Sequence, residues 1–249
     1  MLRTILLLIL FITQAIGIPR IGIKRNFTSQ DQIISYSAAI CFEPLDSPGS
    51  YLKNLPDNKV LNLITIAYGE MRIDYNTNRP NGDIPSVMVG LATDDGQLHF
   101  ASSVQRGRDI FLEHPKDEND SLNRFDKIRH LLKSCEDGTY DRHNFFGKCG
   151  EPSVVELYMS RHGGLLEDQN GSIRGRMWAW NGQQSRVAQP CPNDFVGPGR
   201  YGCRTFATKW LPRIRLIRTG TPDSSGQDEV GGKIIQITKW WRNFTCERA

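Results

Sequence analysis

The sequence predicts a layered α/β domain, and three observations predict it. Residues 86 to 103, SVMVGLATDDGQLHFASS, hold two β-rich apolar runs joined by Asp95-Gly96, a pair that favours a tight hairpin turn. The first run is apolar or small on both faces, Val87, Val89 and Leu91 against Met88, Gly90 and Ala92, as in a strand covered on both sides. Helical periods flank the hairpin, and strand-like runs alternate with helical ones towards the C-terminus. The expected architecture is three-layered, a mixed central sheet with helices on both faces.

Taken in order, Met1-Leu2-Arg3 is followed by ILLLILFITQAIG and then by polar sequence. Arg3 supplies a charged start, Ile5 to Ile12 an apolar core, and Ala15-Ile16-Gly17 small residues at the cleavage positions. Residues 1–17 are therefore expected to be a signal peptide, the mature chain to begin near Ile18, and the protein to be secreted and extracellular. A membrane anchor needs about 20 apolar residues, and this run breaks at Thr13 and Gln14, so no membrane partner is expected. The sequons at Asn26, Asn119, Asn170 and Asn243 suit an exported glycoprotein.

Residues 18–56 are expected to be an N-terminal extension with a short helix from Ser29 and a loop at SPGS. Asp57 then caps a helix with Val60, Leu61, Ile64 and Ala67 at helical spacing. It opens a domain over 57–249 that contains the hairpin and carries an inserted helix within about 104–146. That insertion runs from the surface loop EHPKDEND into SLNRFDKIRHLLKSC, whose Phe125, Ile128, Leu131 and Leu132 face inward. EPSVVELYMSRH reads as a helix with Pro152 in its first turn, GRMWAWNG as a strand, and CRTFATKWL as a helix from Cys203 stopped by Pro212. RIRLIRTG and KIIQITKWW read as closing strands around a flexible TPDSSGQDEVGG loop.

The formal charge of +4 is small for 249 residues, but its distribution is uneven. Between Ser172 and Pro222 the only acid is Asp194, against Arg174, Arg176, Arg186, Arg200, Arg204, Lys209, Arg213, Arg215 and Arg218. Trp178, Trp180, Phe195, Tyr201, Phe206 and Trp210 are interleaved. The composition suits phosphate contact and base stacking. The competing reading is that acids from elsewhere in the chain neutralise this third.

Cys149-Gly150-Glu151 opens one predicted helix, and Pro190-Cys191 followed by Cys203 leads into another. With the order of elements from 57 to 240, this resembles the cytidine deaminase-like zinc-dependent superfamily, whose signature is H-x-E with a later P-C-x-x-C and whose ligand sets include three cysteines. The resemblance implies a cytidine deaminase-like fold and Zn2+ held by Cys149, Cys191 and Cys203. It also implies Glu151 as catalytic proton shuttle and a nucleoside or single-stranded nucleic acid as substrate. The departure is the eleven-residue stretch PNDFVGPGRYG between Cys191 and Cys203, where the family places two residues. Adenosine deaminases of double-stranded RNA resemble this chain in separating their later cysteines widely.

Two other readings stand beside it. Six cysteines in an exported chain also suit a disulfide-stabilised binding protein without metal, and the basic third suits a nucleic-acid binder or nuclease. Arg200, Arg204, His143 and Trp180 are further candidates for substrate contact. The five histidines show no metal-ligand spacing, and no G-x-S-x-G or phosphate loop is present.

Overall fold

The computed structural model describes residues 21–27, 34–42, 50–78, 83–104, 126–135, 142–143, 148–162, 174–189, 200–223 and 233–235. The expected signal peptide, the sequons at Asn119, Asn170 and Asn243, and Cys191 and Cys246 lie outside these. In chain order the elements are β1 (Lys24–Phe27), β2 (Ile34–Cys41), α1 (Ser50–Asn54), α2 (Asp57–Asn78), β3 (Val87–Thr93), β4 (Gln97–Ser102), α3 (Asp126–Lys133) and β5 (Arg142–His143). They continue with α4 (Gly150–His162), β6 (Gly175–Asn181), β7 (Arg186–Ala188), β8 (Arg200–Tyr201), α5 (Cys203–Trp210), β9 (Ile214–Ile217) and β10 (Lys233–Ile235).

Eight strands form one sheet along the path β1-β2-β4-β3-β6-β7, with β10 also beside β2 and β9 also beside β6. The pairings are antiparallel except that of β6 with β9, which is parallel. The sheet is therefore mixed. Asp95-Gly96 makes the predicted turn, with Gly96 at φ 85°, a conformation that favours glycine.

Alternating side chains feed two cores. Tyr36, Ala38, Ile40, Met88, Leu98, Phe100, Trp178 and Trp180 pack against Leu52 of α1 and against Val60, Leu61, Ile64 and Met71 of α2. On the opposite face, Val89, Leu91, Ala101, Met177 and Ala179 pack against Ile128 of α3, Val155 of α4 and Phe206 of α5. Helices thus cover both faces, as the two-sided apolar pattern of β3 requires. A Cβ on Gly90 would come within 2.5 Å of Ile64 Cδ1, so the glycine lets α2 lie close on the sheet.

The helix expected from Ser29 is instead the strand β2. Its period is two: Tyr36, Ala38, Ile40 and Phe42 enter the α2-side core while Ser35, Ser37 and Ala39 point to the other face, a strand signature. β1 and β2, both ahead of Asp57, thus extend the same sheet, and this region is fastened to α2. The Glu70 carboxylate accepts backbone N–H bonds from Ile21, Gly22 and Ile23 at 2.5, 2.9 and 3.1 Å. Asp74 accepts from Arg25 Nε at 2.7 Å and from the Tyr36 hydroxyl at 3.0 Å. Among the described residues, no helix is long and apolar enough to cross a membrane.

Candidate metal centre

Topology brings the two cysteine-bearing helices together. β3 is antiparallel to both β4 and β6, so β4 and β6 run the same way, and β9 is parallel to β6. α4 therefore returns from the carboxyl end of β4 to the start of β6, and α5 from the carboxyl end of β6 to the start of β9. Both helices pack on the same face. Their N-termini consequently meet at one end of the sheet, outside the carboxyl ends of parallel strands, where α/β sheets place ligands.

Cys149 immediately precedes α4, Glu151 lies in its first turn and Cys203 opens α5. One ligand atom from each, two Sγ and a carboxylate oxygen, lie within 4.8 Å of one another. Cys203 is fully buried, Glu151 is 5% exposed, and Cys149 is half-buried. Both helix N-termini carry partial positive charge, which favours thiolate and carboxylate there.

The segment leading into α4 is fixed by short contacts. Val104 N–H donates to Lys148 O at 2.8 Å, and Ser153 Oγ donates to Cys149 O at 3.1 Å. The glycine between cysteine and glutamate is sterically demanded, because a Cβ on Gly150 would come within 2.5 Å of Val89 Cγ2 and 3.2 Å of Ala101 O. The helix start thus lies almost against the hairpin. A second small pairing links the approaches to both cysteines, since β5 and β8 run parallel with Arg142 opposite Arg200 and His143 opposite Tyr201.

Of the other predicted residues, Cys191 lies outside the described set. His143 and Arg200 are brought near the two helix starts by the backbone pairing of β5 and β8. Arg204 is exposed in the first turn of α5. Trp180 is not at the site: it is 8% exposed in the α2-side core, across the sheet from α4 and α5. Its strand position, one residue from Ala179 on the site side, turns its side chain away.

The cationic third is sorted by the fold rather than displayed whole. Arg176 donates to Asp57 Oδ1 at 2.6 Å and to Leu55 O at 2.8 Å, and its guanidinium lies 5.2 Å over the Trp178 ring. Arg215 also pairs with Asp57, at 3.0 Å. These two cations serve the fold, and the acid that neutralises them is Asp57. Trp178, Trp180 and Phe206 are core residues, so base stacking on them is excluded. Trp210 is half-buried, with its Nε1 donating to Leu131 O at 2.9 Å.

Sequence reasoning missed His99. It is fully buried on β4, its Nε2 3.1 Å from Gln97 Oε1, with its ring edge-on to Tyr158 of α4 at 5.5 Å between centroids. The signal was the alternation of Gln97 and His99 with Leu98 and Phe100, which sends the polar pair towards α4. Burial pushes the Tyr158 hydroxyl up to about 12, with Asp95 adding to the shift.

The donor chemistry fits zinc. Two Zn–S bonds of about 2.3 Å at a tetrahedral angle put the sulfurs about 3.8 Å apart, inside the 4.8 Å span of the group. Comparison with known proteins finds no matching family model, no matching curated protein and no matching solved structure.

Proposed function

We propose that the chain is an exported, zinc-dependent hydrolytic deaminase with a cytidine deaminase-like domain, acting on a cytosine- or adenine-type base. The observation that carries this reading is the convergence of Cys149, Glu151 and Cys203 within 4.8 Å from two separate helix starts. The order of elements supports it: helix α2, hairpin β3–β4, the inserted α3, the Cys-x-Glu helix α4, strand β6, the cysteine-led helix α5 and strand β9.

Cys149 and Cys203 would hold the metal, with Cys191, which precedes α5 in sequence, as third ligand. When bound, zinc supplies an acidified water as nucleophile. Glu151 would accept a proton from the attacking water and deliver it to the nitrogen leaving the ring carbon. The balance is water plus amine-bearing base giving the keto base plus ammonia. Burial of Glu151 and Cys203 limits bulk water around this proton transfer.

The same proximity of sulfurs favours a second reading, a Cys149–Cys203 disulfide in a binding protein without metal. Elemental analysis of protein secreted by its own route separates the two, alongside a thiol count after denaturation and metal removal. About one zinc per chain with Cys149, Cys191 and Cys203 as thiols is the expected result. Zinc-free protein with these cysteines oxidised would overturn the deaminase.

A further inference from the structure

Once Asp57 has taken Arg176 and Arg215, a separate set of cations remains along α5. Cys203, Phe206 and Ala207 anchor its inner face in the core, and Arg204, Thr208 and Lys209 are exposed on its outer face. Arg213 follows just beyond, also exposed. Among the described residues, no carboxylate pairs with Arg204, Lys209 or Arg213. Lys209 instead donates to the backbone oxygen of Ser134 and lies 5.6 Å over the Trp210 ring.

The set is directional. Arg204 follows Cys203 directly, and Lys209 lies about 7.5 Å further along the helix axis. Gly175 pairs with Ile214, so the exposed Arg174 and Arg213 flank one register position at the far end of α5. At the near end the β5–β8 pairing sets Arg142 and Arg200 at one register position, just ahead of Cys203. Exposed positive charge therefore extends from Arg204, next to Cys203, to Arg213 and Arg174 at the far end of the helix.

We propose that the outer face of α5 is a track for the phosphate backbone of a single-stranded polynucleotide whose target base enters the Cys149, Glu151 and Cys203 group. This rests on the deaminase reading and narrows its substrate to a polymer. Spaced cations without acidic partners bind phosphates by releasing counterions, and the affinity then falls with salt. A base at the end of a single strand is already unstacked and free to enter a buried site.

The test is fluorescence anisotropy with a labelled mixed-sequence single-stranded DNA oligonucleotide across a salt series, on the full secreted protein. Arg204→Ala with Arg213→Ala should weaken binding roughly tenfold and flatten the slope of log affinity against log salt by about 1.4, at about 0.7 for each lost phosphate contact. Lys53→Ala with Arg72→Ala removes the same charge from exposed positions on α1 and α2 and should change neither. An unchanged slope in the first pair, an equal loss in the second, or displacement of the oligonucleotide by phosphatidylserine vesicles would overturn the track. The readout needs no turnover. Oligonucleotide binding without deamination of any base would count against the deaminase alone, and turnover of free nucleosides by protein that does not hold the oligonucleotide against the track alone.

Discussion

Arg176 and Asp57 meet at 2.6 Å, joining the middle of the sheet to the first residue of the helix on the face away from Cys149, Glu151 and Cys203. Arg176 also donates to Leu52 O and Leu55 O. One guanidinium therefore satisfies backbone oxygens between α1 and α2 while its charge is held by a carboxylate. Asp57 in turn holds Arg215 of β9, so β6 and β9, the strands flanking the crossover through α5, are fastened to the same acid.

Arg176→Ala should cost about 3 kcal/mol, because it strands two backbone oxygens and leaves Asp57 with one exposed partner. Urea denaturation would read this as a lower midpoint at unchanged slope. Arg215→Ala, whose side chain is 64% exposed, should cost less than about 1 kcal/mol. Equal losses in the two variants would mean that the backbone bonds of Arg176 contribute nothing.

Gly150→Ala would push the first turn of α4 off Val89 and misplace Cys149 and Glu151 relative to Cys203. The expected cost is about 1–3 kcal/mol of stability, as for other overpacked sites, together with weaker zinc retention against a chelator. Val89→Ala in the same chain removes the Cγ2 that the new methyl meets at 2.5 Å and should restore most of the zinc retention. The coupling between the two substitutions is the quantity to measure; additive effects would show that the glycine is not needed for this close approach.

Much of the scaffold was legible because its signals are local. Asp57 before a 3.6-residue apolar period gave α2, Asp95-Gly96 gave the hairpin, and Pro212 stopped α5. β2 was misread because its alternation uses small residues, Ser35, Ser37 and Ala39, which a helix also accepts. β7, β5 and β8 are two or three residues long and exist through pairing with distant segments, which no local period encodes. The convergence of Cys149 and Cys203 depends on the parallel direction of β4, β6 and β9, so sequence alone could offer it only through resemblance. Trp180 stood among the candidates for substrate contact, and the partner of Arg176 was left open, for one reason: composition gives the residue type but not the face of the strand or its partner.

Tyr158 supplies a pH prediction. Its hydroxyl is pushed up to about 12 from 10.0, chiefly by burial, so the folded chain keeps a proton that the unfolded chain releases first. The stability this provides is complete below pH 10 and is lost as pH rises from 10 to about 12, because the native state binds more protons over that window. Burial likewise raises Tyr36, with the neighbouring Asp74 adding to the shift. Phenolate absorbance should therefore show late-titrating tyrosines that appear with unfolding. Tyr158→Phe should remove one of them and flatten the alkaline fall in stability; an unchanged curve would mean Tyr158 ionises freely in the folded protein.

Glu151 could serve the candidate centre in either of two roles, since its carboxylate lies within 4.8 Å of both sulfurs. A ligand and a proton shuttle answer differently to Glu151→Gln. The amide keeps the size and stays a weak oxygen donor but carries no proton to and fro, so a shuttle predicts zinc content and melting temperature near those of the unsubstituted protein with turnover reduced about 10²- to 10⁴-fold. The lost charge at the start of α4 should account for no more than about 1 kcal/mol of stability. Cys203→Ser should instead lose zinc, because a serine hydroxyl does not replace a buried thiolate ligand. Loss of zinc in both variants would make Glu151 a ligand, leave the centre without its proton carrier and overturn the proposed mechanism, whereas full turnover in Glu151→Gln would remove the residue from the chemistry altogether.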